Sequence, residues 1–325
     1  MTYLENSKQY TGSDLENIFF RPMLTGESAQ DLGVRVLYNM PQPTHVQLWD
    51  GQRNILQKFT SAGWAGGKAA TKYEKTVNLN RVKAELGFSA ANYFSMVYEK
   101  VSSLVNTHMD DLSGTELEQA ETALFKQALA ENIRVTMWIG DTSAASGYNT
   151  FDGLLKRING LVDDDGVYNF SYQAAALEDP AYAVELFDKL WAGADPRIPG
   201  LKADDRLAYF VSSDIYRLYE KYLDAKGADA AYADAMNGRR TLAYHGIPVV
   251  DVRLGSYLGA TSFRKSFVML TDRRNLVLAV NTADMPGNEV RMWYNPDEME
   301  NRQRAVFMAG TQILDEALIS FAYKQ

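Results

Sequence analysis

Residues 113–133 read SGTELEQAETALFKQALAENI, and this stretch is the most regular in the chain. Its first residues, Ser113-Gly114-Thr115-Glu116, have the pattern of a capping box, in which two side chains satisfy free backbone N–H groups at the start of a helix. Apolar residues then recur at the spacing of one helix face, at Leu117, Ala120, Leu124, Ala128 and Leu129. The stretch therefore predicts a helix over 113 to about 133, roughly 30 Å long at 1.5 Å per residue.

A short apolar run and a loop of small residues follow this helix. Residues 133–139 end at Gly140-Asp141, and residues 142–149 are mostly small or polar. Because the capping pattern and the apolar stripe both belong to 113–133, we expect the helix to end near Ile133.

The segment before the helix predicts an extended hairpin preceded by an N-terminal arm. Alternating residues in 45–59 around Asp50-Gly51 fit two strands and a turn, and alternation resumes over 75–83. The glycine-rich run 60–70 between them does not match a phosphate-binding loop, because Ala62 and Ala69 occupy two of the positions that define that motif. Residues 1–43 contain three prolines and no sustained period, so they predict an extended arm with at most one short helix, near 14–20.

From Thr150 onward the sequence alternates between shorter helices and strands. The patterns predict helices over 151–158, 180–191 and, with Ser213 as the cap, 215–223. They predict a turn at 163–166 and a loop over 227–238. Strand-like runs occupy 207–211, 244–250, 267–270, 276–280, 290–295 and 304–313. The chain is therefore expected to mix helices and sheet throughout its second half.

Composition excludes several classes of function. The chain has 325 residues, no cysteine, and 33 Lys and Arg against 41 Asp and Glu, for a formal charge of −8. Without cysteine there is no disulfide scaffold, thiolate nucleophile or cysteine-ligated zinc. The acidic balance argues against wrapping nucleic acid, which needs clustered cations. The length suggests about two folding units. The sequence has no long apolar run and no N-terminal secretion signal, so we expect neither a membrane span nor export.

Motifs for catalysis or metal binding are also absent from the sequence. His45, His108 and His245 lie far apart and form none of the usual metal-binding pairs. The Gly-x-Ser-x-Gly elbow of many hydrolases does not occur. We therefore expect no catalytic residue, no metal and no cofactor, and an enzyme is the weaker class.

Four local motifs follow one another along the chain. They are the helix from Ser113 running into WIGD at 138–141, the segment YNTFDGLL at 148–155, AYFVSSDIY at 208–216 and HGIPVV at 245–250. These motifs and the order of the elements, over about 44–320, resemble the major capsid protein of tailed bacteriophages, which has the Hong Kong 97 fold. The resemblance implies an α+β fold with an N-terminal arm (1–43), an extended hairpin region (44–84), a spine helix (about 113–133), a peripheral domain (85–149 and 262–325) and an axial domain (150–261).

The same resemblance implies function, partners and location. It implies a non-enzymatic shell protein that self-assembles into hexamers and pentamers of an icosahedral phage head enclosing double-stranded DNA. The other expected partners are separate scaffold, portal and decoration proteins, with weak non-specific contact to the packaged DNA and no membrane. The expected location is the virion capsid, assembled in the host cytoplasm. The isopeptide crosslink of one branch of the family is not carried over, because no lysine of the hairpin is singled out.

Subunit contacts are expected at three places. An isolated tryptophan among glycine and alanine predicts an interface anchor at the hairpin tip, at Trp64 with Lys68 nearby. In the family, one loop surrounds the symmetry axes and another joins capsomers. The corresponding loops here are 226–240, with Gly227, Asp229, Arg239 and Arg240, and 281–289, with Asp284, Pro286 and Glu289.

Two other readings stay open. An encapsulin-like nanocompartment has the same fold and encloses enzymes, but such proteins as a rule begin with an amphipathic helix, for which the start of this chain offers at most a short segment. An enzyme with an unrecognised site is the third.

Overall fold

A computed structural model of the chain describes residues 8–10, 33–40, 44–49, 72–89, 116–162, 166–227, 232–233, 241–255, 257, 266–281, 288–295, 297–298 and 300–325. Within these residues the chain forms a six-stranded sheet, a seven-stranded sheet and a separate two-stranded ribbon. The mixture of helices and sheets expected from the sequence is confirmed.

The six-stranded sheet is organised around its longest strand, β14 (Glu300–Ile313). β14 pairs antiparallel with residues 80–89 along 300–309, with residues 289–295 along 300–306 and with residues 276–281 along 308–313. A three-residue strand and a four-residue strand end the sheet. The strands are β1 (Lys8–Tyr10), β2 (Arg35–Tyr38), β5 (Asn80–Ser89), β12 (Leu276–Asn281), β13 (Glu289–Asn295) and β14 (Glu300–Ile313), in the order β1-β13-β14-β12-β2 with β5 beside β14.

The seven-stranded sheet carries helices on both faces. Its strands are β6 (Tyr168–Tyr172), β7 (Leu207–Val211), β8 (Tyr232–Ala233), β9 (Thr241–Tyr244), β10 (Ile247–Asp251), β11 (Phe267–Asp272) and β15 (Ile319–Lys324), in the order β6-β15-β11-β7-β10-β9-β8. The helices are α1 (Glu116–Ile139), α2 (Leu154–Gly160), α3 (Tyr182–Ala192), α4 (Ile198–Lys202) and α5 (Ser213–Ala225).

One hydrophobic core contains side chains of α1 and of both sheets. Near its middle the helix buries Phe125 and Leu129 in the same cluster as Phe307 of β14. At its end Trp138 packs on Phe210 of β7, with ring centroids 5.7 Å apart. A second core on the other face of the seven-stranded sheet is formed with α3 and α5. The long helix therefore ties both sheets together.

The helix α1 extends beyond the end that the sequence predicted. It continues to Ile139 rather than stopping near Ile133. Residues 133–140 are buried without exception, so no polar face marks a helical period. Even Arg134 is buried, because its guanidinium donates to the backbone carbonyl of Val252 at 3.0 Å and to Glu131 Oε1 at 2.8 Å. The predicted capping box at its start lies outside the described residues, apart from Glu116.

Most strands of the second half are confirmed, with local corrections. β7 has the predicted bounds. The residue at the cap of α5 is Ser212, not Ser213, whose hydroxyl instead donates to Asp251 Oδ1 at 2.8 Å. The helix predicted from 151 begins at Leu154. Part of the expected loop 227–238 is the short edge strand β8, while the turn expected at 163–166 lies outside the described residues except for Gly166.

Two strands cross the division into domains that we expected. β11 and β15 belong to the segment 262–325, which we assigned to the peripheral domain. They are hydrogen-bonded into the sheet that contains β6, β7 and β10 from the segment assigned to the axial domain. One sheet therefore contains strands from both predicted domains. The division into domains itself stays a prediction.

The base of the predicted hairpin is present as a ribbon of β3 (Thr44–Trp49) and β4 (Lys72–Val77). The two strands are antiparallel, with Trp49 opposite Lys72. The segment 55–59, expected as the partner of β3, lies outside the described residues, as do the turn at Asp50-Gly51 and the expected arm helix near 14–20. The observed partner of β3 is β4.

Candidate assembly surfaces

The ribbon is anchored to the six-stranded sheet at residues 75–79, which we call its root. Val77 and Leu79 are buried against Ala279 of β12. Between them, the carbonyl of Asn78 lies so close to Gly310 of β14 that a Cβ at Gly310 would be 2.1 Å from the Asn78 oxygen. Only a glycine fits such an approach of two backbones. The root is therefore held by close packing.

Two polar contacts reinforce the root. Lys75 Nζ lies 2.6 Å from Glu316 Oε1, and Gln312 Nε2 donates to the carbonyl of Thr76 at 2.9 Å. Within the described residues β3 and β4 pair with no other strand. The two strands therefore form a ribbon separate from the two sheets, and its predicted tip residues Trp64 and Lys68 lie outside the described residues.

The motif residues at the end of α1 and the start of α2 are packed backbone to backbone. Gly153 N donates to the carbonyl of Gly140 at 2.8 Å. A Cβ at Gly140 would lie 2.2 Å from the carbonyl oxygen of Phe151, and one at Gly153 would lie 2.5 Å from the nitrogen of Gly140. Thr311 Oγ1 of β14 donates to the carbonyl of Asp152 at 2.5 Å. The two glycines therefore let α1, α2 and β14 meet at one point.

Lys156 forms an ion-pair cluster over this junction. Its Nζ lies 2.7 Å from Asp141 Oδ1 and 2.6 Å from Asp152 Oδ1. Hydrogen bonds from Lys156 and from Ser143 lower the pKa of Asp141 to about 2. A carboxyl group whose pKa is lowered by folding stabilises the folded state above its ordinary pKa, and this stabilisation is lost as the pH falls through the lowered value.

Replacing Lys156 with methionine should raise the pKa of Asp141 toward the ordinary value of 3.8. The loss of stability between about pH 4 and pH 2 that comes from Asp141 should shrink accordingly. The pKa is measured by NMR titration of the Asp141 carboxyl group. Lys189→Met is the matched control, because Lys189 pairs with Glu185 on α3. An unchanged pKa in the Lys156 variant would contradict the assignment.

The motif HGIPVV forms a tight hairpin at one end of the seven-stranded sheet. His245 and Gly246 have φ values of +49° and +79° and connect β9 to β10, with Ile247 opposite Tyr244. Two successive positive φ values are typical of the type I′ turn, which favours glycine at the second position. Tyr244, the residue before the turn, donates its hydroxyl to Asp188 Oδ1 of α3 at 2.7 Å, which fixes its position. The motif therefore has a structural explanation.

Two of the predicted loop residues lie within the described part of the chain. Gly227 follows α5 with φ +61°, and its N–H donates to the carbonyl of Asp224 at 3.1 Å, as expected for a glycine that ends a helix. Glu289 is the first residue of β13, where its carboxylate accepts from Arg304 Nη2 at 2.5 Å and from Gln9 Nε2 of β1 at 2.8 Å. The others lie outside the described residues: Asp229, Arg239, Arg240, Asp284 and Pro286.

Sequence reasoning missed the contacts that join the two sheets. The chain crosses between the sheets at 273–275 and again at 314–318. Asn275 joins the crossings, because its Nδ2 donates to the carbonyl of Asp315 at 2.8 Å while its Oδ1 accepts from Asp315 N at 2.7 Å. An isolated asparagine after two arginines carries no sequence signal of such a role.

The described residues contain no group of three or more His, Asp or Glu side chains that are placed to hold a metal ion. In the same part of the chain, no helix combines the length and apolar character of a membrane span.

These elements define a capsid-type fold. A chain of the satellite phage P4 procapsid, solved with its size-determination (Sid) protein, matches with a TM-score of 0.58 over 94% of this chain and 97% of that chain, at 10% identity. At this identity the match establishes the fold. The capsid of the native GTA particle (12% identity, 93% and 91% of the two chains) and the holo-SrpI encapsulin complex of Synechococcus elongatus PCC 7942 (10%, 88% and 84%) both match with a TM-score of 0.47. No protein-family model and no curated protein matches the sequence.

Proposed function

We propose that the chain is the major capsid protein of a tailed bacteriophage and that it self-assembles into hexamers and pentamers of an icosahedral head around double-stranded DNA. The observation that carries the proposal is the match to the P4 procapsid chain over nearly the whole of both chains. The role is structural rather than enzymatic. The protein functions in the virion capsid, assembled in the host cytoplasm with separate scaffold, portal and decoration proteins.

The ribbon supports an assembly role on physical grounds. An isolated two-stranded ribbon is marginally stable in water, and this one is packed against its own subunit at its root. The remainder of the hairpin therefore needs a neighbouring subunit. In Hong Kong 97 terms, residues 44–84 are the extended loop, α1 is the spine helix and 1–43 is the N-terminal arm. Residues 85–149 and 262–325 then form the peripheral domain, and 150–261 the axial domain.

Electron microscopy of the purified protein tests the proposal. Closed shells are expected, and shells from infected or induced cells should contain DNA. Contact with that DNA is weak, because the chain carries a net charge of −8 and binding to phosphates depends on cations. Shells that enclose enzymes would favour the encapsulin-like alternative. Failure to form shells under any condition would contradict both.

Replacing Trp64 with alanine should reduce the yield of closed shells. We propose that Trp64, with Lys68 beside it, anchors the hairpin on a neighbouring subunit, and truncation of such an anchor typically weakens an interface by about 2 kcal/mol or more. The unfolding free energy of the unassembled subunit should change by less than about 0.5 kcal/mol. Shell yield is measured by sedimentation and microscopy. Wild-type yield and shell stability would contradict the role of Trp64.

A short polar insertion after Ala230 should disturb the contacts around the symmetry axes. We propose that the loop 226–240, with Gly227, Asp229, Arg239 and Arg240, lines these axes, and that the loop 281–289, with Asp284, Pro286 and Glu289, joins capsomers. The same insertion after Pro286 tests the second loop, and an insertion after Gly147, in the exposed loop between α1 and α2, is the control. Shells of normal size and stability after either test insertion would contradict the corresponding assignment.

A further inference from the structure

The strand β6 ends the seven-stranded sheet without the usual protection of an edge strand. Its sequence, Tyr-Asn-Phe-Ser-Tyr at 168–172, contains no charged residue and no proline. Natural edge strands are often very short or carry charge or proline, because their unpaired backbone groups readily pair with another chain. The end strands of the six-stranded sheet carry Lys8 and Arg35, and β8, at the other end of this sheet, has two residues. Among the described strands that end a sheet, β6 is therefore the one best suited to pair with a further strand.

The backbone groups of two residues of β6 point to its open side. β6 is parallel to β15, the strand next to it in the sheet. The carbonyl of Tyr172 accepts from the N–H of Gln325 at 2.9 Å, at the end of β15, so the backbone groups of Tyr172 point toward β15. Because successive residues of a strand point to opposite sides, those of Asn169 and Ser171 point away from β15. These two residues can form hydrogen bonds with a further strand.

The aromatic side chains of β6 share one face. Tyr172 is buried in the core beneath α3, and Phe170 packs against the same core. Lys189 Nζ of α3 lies 6.0 Å from the centroid of the Phe170 ring. Tyr168 is 39% exposed, and its ring lies so close to Gly193 that a Cβ there would be 2.2 Å from Tyr168 Cζ. The edge therefore presents a partly exposed row of aromatic rings whose outermost member is held in place.

We propose that two copies of this chain pair through β6, antiparallel and centred on Phe170. In this register Asn169 of one copy is opposite Ser171 of the other, and the reverse pair forms as well. Both residues point to the open side, so each pair exchanges two backbone hydrogen bonds. Phe170 is then opposite itself, and Tyr168 is opposite Tyr172. The contact is isologous, because the same surface of both copies is used.

The sequence of β6 favours a second copy of this chain as the occupant of the edge. Aromatic and polar residues alternate in the same order from either end of the strand. Antiparallel pairing of β6 with itself therefore places aromatic residues opposite aromatic residues, which are stabilising cross-strand pairs. It brings no like charges together, because the strand carries none. This pairing does not rest on the proposed function and is separate from the three assembly surfaces proposed above.

Engineered cysteines test the register, because the chain has none of its own. Positions 169 and 171 of the two copies would form a hydrogen-bonded pair with a Cα separation of about 5.5 Å, within the range of a disulfide. Two copies of position 171 would be diagonal neighbours about 7–8 Å apart, which is too far. The variants are N169C, S171C and a co-expressed mixture of the two. The matched control is N149C, at an exposed position in the loop between α1 and α2.

The purified proteins are oxidised and analysed on non-reducing gels. The mixture should give covalent dimers, with a disulfide between positions 169 and 171 identified by mass spectrometry of tryptic peptides. N169C, S171C and N149C alone should stay monomeric on the gel. F170C alone should form dimers, because Phe170 is opposite itself at a Cα separation of about 4.5 Å.

Two results would overturn the proposal. A mixture that gives no more dimer than N149C would show that the copies do not pair through β6. Dimers from S171C alone in the same amount as from the mixture would show that the strands do not pair in the register centred on Phe170.

Discussion

Replacing Gly140 with alanine should lower the free energy of unfolding by about 3 kcal/mol or more, at the upper end of the range for overpacking substitutions. The added Cβ would lie 2.2 Å from the carbonyl oxygen of Phe151 and 2.6 Å from that of Thr136. Both neighbours are backbone atoms, so relief of the clash requires the backbone at the end of α1 and at Phe151 to shift. The change is measured by urea unfolding of the unassembled subunit.

Gly160→Ala is the matched control for this prediction. Gly160 is the last residue of α2, and a Cβ there would meet no atom within 4 Å. Its φ is not positive, so alanine should be neutral or slightly stabilising by limiting the freedom of the unfolded chain. If Gly140→Ala proved as stable as Gly160→Ala, the close approach of the two backbones would not exist in solution.

The motif around Gly140 shows what sequence reasoning could and could not provide. WIGD and FDGLL were carriers of the family resemblance, which implied that a short loop joins the long helix to the next one. The patterns themselves placed the end of the first helix near Ile133 and the start of the second at 151, whereas these lie at Ile139 and Leu154. The position of the junction and the contact between its two glycines both required the fold.

The ends of elements were harder to predict than their presence. Periodicity detects a helix through the contrast between a buried and an exposed face, and α1 loses this contrast over its last residues, 133–139, which are all buried. Similarly, β3 has an alternating sequence that fits several partners, and its pairing with β4 follows from the root contacts of Val77 and Leu79. Boundaries and pairings are thus set by tertiary contacts.

Membership of the two sheets could not be deduced from strand patterns. β11 and β12 are separated by three residues and β14 and β15 by five, yet the two strands of each pair belong to different sheets. β11, β12 and β15 are all six-residue, mainly apolar strands, so their composition does not separate the two sheets. What decides their placement is that the two crossings, 273–275 and 314–318, lie side by side, with Leu314 N donating to the carbonyl of Asn275 at 3.0 Å.

Replacing Asn275 with alanine should lower the free energy of unfolding by about 3 kcal/mol. Asn275 is 4% exposed, and its amide donates to Thr271 Oγ1 and to the carbonyl of Asp315 while accepting from Asp315 N. Alanine leaves these groups without partners, and each buried polar group left unsatisfied typically costs about 1–3 kcal/mol.

Urea unfolding measures the loss, with Asn149→Ala as the control. Asn149 is exposed and makes one hydrogen bond, to the carbonyl of Ala144 at 3.2 Å, so its replacement should change stability by less than about 0.5 kcal/mol. Equal effects of the two substitutions would show that Asn275 does not hold the crossings together, and that the packing under α1 alone joins the two sheets.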